Sequence, residues 1–335
     1  MRRKASLILL AFAVFFTALS PLMRFYAFPR LAKIPPSQYQ NMVLEAKPLT
    51  LVDYGTMSPK KVSKLSIVQT LKGNVEEAKK IKERTGRDVV VWDALSYAEG
   101  PDGKMVTKIP ERYVFDAHSQ EPVNVPGEHA DGHKVKREGI EFKWPFLTEK
   151  RDYTYFDARS RTSAPIHYKG TQDFRGVEVY YFEQTIPWVK VDYPSNMPIK
   201  GITAKTAAQS GTEMWYTTVR KFWVEPVTGA PVYGEEIHKE EMRGGNLVPE
   251  GKEKVTVFDG HVKMREDFIK STVDLVSSQR TLVLLMTSYL PWGFLGLGAA
   301  LLTLSLILEA RSRRPGGPDD DTDTEPAPDP EPVNA

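Results

Sequence analysis

His129 and His133 lie four residues apart, with Glu128 and Asp131 beside and between them. On a helix that spacing would turn two imidazoles toward one divalent metal. Gly127 and Asp131-Gly132 argue for a turn instead, so the expectation is a solvated polar loop holding no metal. Glu235-Glu236 and Glu240-Glu241 offer carboxylates of the kind that cleave glycosides in pairs. Consecutive strand residues point to opposite faces, so a working pair would have to be drawn across strands, and His238 between them reads as a surface residue. The chain contains no glycine-rich phosphate loop, G-x-S-x-G elbow or H-E-x-x-H motif. The expectation is a protein that is not an enzyme and uses no cofactor.

Aromatic residues are the larger chemical resource. Trp144-Pro145-Phe146, Tyr153, Tyr155, Phe156, Tyr180-Tyr181-Phe182, Trp188, Trp215, Tyr216, Phe222 and Trp223 fall in segments of strand character. Alternation sends one set into a core and the other to the opposite face. Either both faces are covered, or one set lines an apolar cavity or groove for a lipid-like ligand. In the second case Trp188 and Trp215 are the candidate ligand contacts.

These segments are held between two apolar stretches. Ala5 to Met23 is uncharged for 19 residues and Leu282 to Leu308 for 27, and about 20 residues span a bilayer core as a helix. Arg2, Arg3 and Lys4 precede the first stretch, and Arg311, Arg313 and Arg314 follow the second. Excess basic charge marks the cytoplasmic ends, so both termini are expected inside and residues 24–281 outside. The first stretch is longer than a signal-peptide core and reads as a retained anchor. Pro291, Gly293, Gly296 and Gly298 interrupt the second, either as a tolerated kink or as a close-packing surface.

Composition narrows the function classes. The net charge of +2 is spread too evenly to suggest a nucleic-acid partner. The absence of cysteine rules out disulfides, thiolate metal sites and cysteine nucleophiles. The tail from Pro315 carries seven acids and six prolines in 21 residues and cannot form a core. It is either merely solvated or the contact for a cytoplasmic partner.

The exterior part opens with a proline tether, Phe28 to Pro36, expected to be extended. Leu65–Leu71 and Asp88–Tyr97 read as strands around one short helix, N-capped by Asn74 and closed by Gly86. Pro101-Asp102-Gly103, Asp131-Gly132, Thr228-Gly229 and Asp259-Gly260 read as hairpin turns between alternating segments such as Val177–Ile186 and Trp215–Val224. The fold class is α+β and β-rich, a large antiparallel-sheet ectodomain between two terminal transmembrane helices. The chain divides into a cytoplasmic N-terminus (1–4), a first span (5–23), an extracytoplasmic domain (24–281) ending in a helical connector (264–281), a second span (282–308) and a disordered acidic tail (309–335).

Phe142-Lys143-Trp144-Pro145-Phe146, Glu149 to Tyr153, Phe156-Asp157, Tyr168 to Asp173, Gly176-Val177, Tyr180 to Gln184 and Val224 to Gly229 together resemble the actinobacterial family named for the PorA porin, long listed as a domain of unknown function. The resemblance covers nearly the whole chain and implies a channel of the cell envelope. Single-chain porins cross membranes as closed barrels, whereas this chain is expected to cross with two uncharged helices. A looser similarity of architecture links it to the scavenger receptor class B and lysosomal integral membrane protein family, whose ectodomains conduct lipid. The expectation is a plasma-membrane protein that binds or passes envelope lipids or lipid-linked glycans, with an oligomeric channel or a structural or signalling scaffold as the alternatives.

Overall fold

The computed structural model describes residues 2–103, 105–196 and 203–312. In chain order the elements are α1 (Arg2–Pro21), α2 (Phe28–Leu31), β1 (Tyr39–Asp53), β2 (Ser58–Val62), β3 (Leu65–Gly73), α3 (Val75–Thr85), β4 (Val89–Glu99), β5 (Met105–Asp116), β6 (His129–Ala130) and β7 (His133–Lys134). They continue with β8 (Tyr153–Asp157), β9 (Thr162–Phe174), β10 (Val177–Val191), α4 (Ala204–Gln209), β11 (Glu213–Glu225), β12 (Ala230–Arg243), β13 (Lys254–Met264), α5 (Glu266–Leu284) and α6 (Leu290–Ser312). Two compact units result, one of residues up to Arg24 and from Ser288 onward, the other Phe25–Thr287. The acidic tail expected to be disordered lies beyond the described residues from position 313.

The smaller unit is an antiparallel helix pair. Ser305 Oγ donates to Ser6 O at 2.8 Å, Ser6 Oγ donates to Ser305 O at 3.1 Å, and Phe16 stacks on Phe294 at 5.8 Å. A Cβ on Gly298 would lie 2.6 Å from Thr17 Oγ1, whereas Gly293 and Gly296 face open space. Apolar helices gain little from burial against one another in lipid, so small residues and shared hydroxyl bonds hold them. The helical runs Lys4–Leu31 and Glu266–Ser312 are each long and apolar enough to cross a membrane.

Both runs contain a widened π-helical stretch, Leu22–Ala27 and Leu285–Tyr289, each ending two residues before a proline, Pro29 and Pro291. Proline lacks an N–H and crowds the carbonyl four residues back, and an extra residue in the preceding turn relieves that clash. Pro29 therefore sits inside a helix, and the extended tether begins only after Leu31. It is also pinned: Ile34 is buried and its N–H donates to Ala117 O at 3.0 Å.

The larger unit is one antiparallel sheet of 13 strands, ordered β7-β6-β5-β4-β3-β1-β13-β12-β11-β10-β9-β8, with β2 beside the distal half of β1. The segment 137–141 joins β8, at one end, to β5, the third strand from the other end. Ile140 pairs in parallel with β8 through Ile140 N to Thr154 O (2.9 Å) and Phe156 N to Ile140 O (3.0 Å), while Arg137 Nη1 donates to Arg112 O of β5 at 3.1 Å. The sheet thus curls around an interior. On its outer side α3 packs Ala78 and Ile81 against Val89, Val91 and Val114. Asn74 Oδ1 accepts from Glu77 N at 3.1 Å at the start of α3, and Gly86 (φ 74°) closes its end, as the capping residues require.

Asp259-Gly260 is not a turn. Both residues lie within β13, where Gly260 pairs with Leu49 of β1 and His238 of β12. A Cβ on Gly260 would stand 3.1 Å from both Leu49 Cβ and the Phe258 ring, so a glycine here admits its neighbours' side chains rather than reversing the chain.

Candidate functional site

The curled sheet and α5 border a cavity of about 600 Å³. Alternation builds its wall: Ile67, Gln69 and Leu71 of β3, Thr107, Ile109 and Glu111 of β5, and Gly234, Glu236, His238 and Glu240 of β12 all face inward. Phe268, Thr272, Leu275 and Val276 of α5 make one side apolar. Tyr39 and Leu275, at 64 % and 58 % exposure, belong to the same lining, as do the exposed polar residues Asn41, Ser271 and Gln279.

The wall along β11 and β12 is charged and self-neutralising. His238 stands between two carboxylates of its own strand, 3.0 Å from Glu236 and 3.0 Å from Glu240. Arg220 of β11 reaches Glu236 at 3.1 Å and Asp157 at 2.7 Å, and Arg159 reaches Glu240 at 2.7 Å. Burial opposes charge on Glu236, Glu240, His238, Arg159 and Arg220. It is outweighed at Glu236 by Arg220 and His238, and at Glu240 by Arg159 and His238, which hold both carboxyls well below their usual range. Burial would likewise lower His238, but its bonds to the two glutamates raise it to about 9. The expectation of a surface histidine is corrected: its 21 % residual side-chain exposure is within the wall it helps to line.

A second charged centre ties the closing segment to β5. Arg137 is 0 % exposed and lies 3.1 Å from Glu111, 3.4 Å from Glu128 and 2.8 Å from Glu141. Burial raises Glu111 and Glu128, with Arg137 opposing it, and burial together with the Glu111 carboxylate pushes Glu141 well above the usual range. Glu128 is therefore no part of a solvated loop. Asp131 is buried as well and accepts from Ser195 N at 2.9 Å. His133 is exposed, His129 half-buried, and the two flank the β6–β7 turn. Among the described residues no three His, Asp or Glu side chains are grouped to hold a metal.

Lys143, two residues beyond the closing segment, also lines the cavity. Its Nζ donates to Thr228 O at 2.7 Å and Trp144 O at 3.0 Å and lies 4.0 Å from the Phe146 ring centre. Burial, only partly offset by Glu225, lowers it to about 7. The Thr228-Gly229 turn that receives it is tight: Gly229 has φ 71°, and a Cβ there would lie 2.2 Å from Trp144 O.

Trp188 and Trp215 lie elsewhere. Neither is among the cavity-lining residues; they sandwich Arg243, whose Cζ is 4.6 Å from each ring. Trp215 neighbours the cavity residue Tyr216 in β11 and so points to the other face. No local pattern marks Arg137, Asp157, Arg159 and Arg220 as site residues, although Phe156-Asp157 belongs to the family-like segments. The one available signal was Glu236, His238 and Glu240 at i, i+2 and i+4, which marks a single charged face without saying whether water or protein meets it.

Comparison with known proteins follows the same boundaries. The family model described as Porin PorA matches residues 5–307. A protein named Porin PorA from Corynebacterium resistens is 24% identical across 60% of this chain and 64% of its own length. Another of that name from Corynebacterium amycolatum is 26% identical across 37% of this chain and 39% of its own. The chain thus spans less than two thirds of the length of either relative, while the family model spans nearly all of the chain. From the first apolar helix to the last, this chain belongs to the Porin PorA family.

Proposed function

We propose that the sheet domain, anchored in the plasma membrane and facing the envelope, receives an amphipathic molecule such as a lipid or lipid-linked glycan in its cavity, without catalysing a reaction. The observation that carries this reading is the cavity itself, about 600 Å³ with an apolar side along α5 and a charged side along β11 and β12. Sites of that volume and mixed lining suit small amphipathic ligands. Any part played by Trp188 and Trp215 belongs to the separate Arg243 cluster. The test is binding of a fluorescent acyl probe to the full-length protein in amphipol. Saturable binding that falls in Ser96→Phe, which fills the lumen from β4, supports the reading; a folded wild type that does not bind overturns it.

A channel is the second reading, and the family match over residues 5–307 favours it. Under it the charged wall would be part of a water-filled path, completed by several copies because neither apolar helix stretch bears a charge to line a pore. Discrete conductance steps from the pure protein in planar bilayers would establish this reading over the first. A silent bilayer with retained probe binding would reject it.

A further inference from the structure

The cations lining the cavity are Lys143, Arg159, Arg161, Arg220 and His238. Four of them are matched to carboxylates: Arg159 to Glu240, Arg161 to Asp192, Arg220 to Asp157 and Glu236, and His238 to Glu236 and Glu240. Lys143 differs. Among the described residues its Nζ is engaged by two backbone carbonyls, Trp144 O at 3.0 Å and Thr228 O at 2.7 Å, and by no carboxylate within ion-pair distance. A protonated amine has three donors, so one is left that no oxygen of the described residues accepts; the Phe146 ring centre, 4.0 Å from Nζ, is a weaker partner than an anion. A second donor of the same lining is also unmatched: Trp92 is 2 % exposed and its Nε1–H has no acceptor.

We propose that Lys143 is the anchor for the anionic head of a single-chain amphiphile, a carboxylate or a phosphate monoester, whose alkyl part lies along the apolar side formed by α5. The proposal rests on the binding reading above and adds the charge class of the ligand. An anion fits because it supplies what the position lacks. It accepts the third N–H of Lys143 without displacing either carbonyl, and a charge-assisted bond in a poorly hydrated site is stronger than a neutral one. Arg159, Arg220 and His238 would have to release an enclosed carboxylate first, which leaves its charge uncompensated. Arg161 is held in an ion pair open to water, its partner Asp192 being 62 % exposed, where a charge offers an anion less. The acids on the closing segment's side do not oppose an anion strongly, since Arg137 engages both Glu111 and Glu141 and burial favours their neutral forms. Burial lowers Lys143 to about 7, and a bound anion raises it again, so binding is coupled to proton uptake by the amine.

The experiment compares dodecanoate, dodecyl phosphate and dodecanol as competitors of the fluorescent acyl probe on the full-length protein in amphipol. Wild type should prefer at least one of the anions to dodecanol by about tenfold, the factor that about 1.4 kcal/mol corresponds to; which anion wins identifies the source of the head group. Lys143→Gln keeps two N–H donors for Trp144 O and Thr228 O but removes the charge. It should bind dodecanol as wild type does and lose the preference for the anion. A purely structural lysine would instead weaken all three competitors alike, and that result, or equal binding of anion and alcohol by wild type, overturns the proposal while leaving the cavity reading intact. Failure of all three to bind the folded wild type would overturn both.

Discussion

Replacing Arg137 by methionine should be the most damaging single change to the sheet domain. The guanidinium is 0 % exposed, and its three partners Glu111, Glu128 and Glu141 are 3 %, 1 % and 3 % exposed, so water cannot replace it. Removing one partner of a buried ion pair costs about 3–5 kcal/mol, a large part of the roughly 5–15 kcal/mol that holds a typical domain folded. Here three acids are left facing one another, and they respond by keeping protons. Their carboxyls are already raised by burial in the wild type. A carboxyl raised on folding costs nothing below its unfolded value and destabilises progressively as pH rises through its folded value. Each further unit of upshift adds about 1.4 kcal/mol per carboxyl at high pH. The deficit of Arg137→Met should therefore grow as pH rises above the usual carboxylate range, and Glu141→Gln in the same background should recover part of it. Urea titration of the full-length protein in detergent, followed by tryptophan fluorescence, measures this. A loss under about 1 kcal/mol, or one independent of pH, would refute the argument that these charges are buried and mutually dependent.

His238 predicts the opposite approach to neutral pH. Its value is raised from 6.5 to about 9, so its contribution is complete below about 6.5 and disappears as pH rises to about 9, at most about 3.4 kcal/mol; the stability difference between wild type and His238→Gln should shrink over that window, and a constant difference would exclude the ion triad. In the helix pair, Ser6 Oγ and Ser305 Oγ are 3.1 Å apart in a chain without cysteine, so Ser6→Cys with Ser305→Cys should crosslink on mild oxidation. Adding Gly298→Leu should suppress the crosslink, because even a Cβ there meets Thr17 Oγ1 at 2.6 Å; undiminished crosslinking would show that the helices do not pack on this face. For topology, a reporter active only outside the membrane should work when inserted at Asp102-Gly103 and stay silent when fused after Arg314, and an active C-terminal fusion would overturn the two-span orientation.

Much of this architecture is local and therefore legible. The two apolar stretches, the Asn74–Gly86 caps and the strands around them depend on residues within a few positions of one another, where bilayer thickness, capping geometry and side-chain alternation act directly. Where locality ended, the reading went astray. Phe28–Leu31 is helical because a π-helical stretch precedes Pro29, and Asp259-Gly260 stays in β13 because Leu49 and Phe258 fill the space that a side chain would need.

The polarity of the interior was beyond any local rule. A strand bearing Glu236, His238 and Glu240 on one face is conventionally its wet face, and nothing within β12 says otherwise. What turns that face inward is the curl of the sheet, closed by Ile140 on β8 and Arg137 on β5, together with Asp157, Arg159 and Arg220 supplied from elsewhere in the chain. Paired residues such as Arg159 and Glu240 are 81 positions apart. Burial of charge becomes tolerable only when all partners arrive at once, and that simultaneity is a property of the tertiary structure. The chain's own sequence determines that it has apolar helices at both ends and strands between them; whether those strands enclose a filled core or a charged cavity is decided by contacts between residues that the sequence keeps far apart.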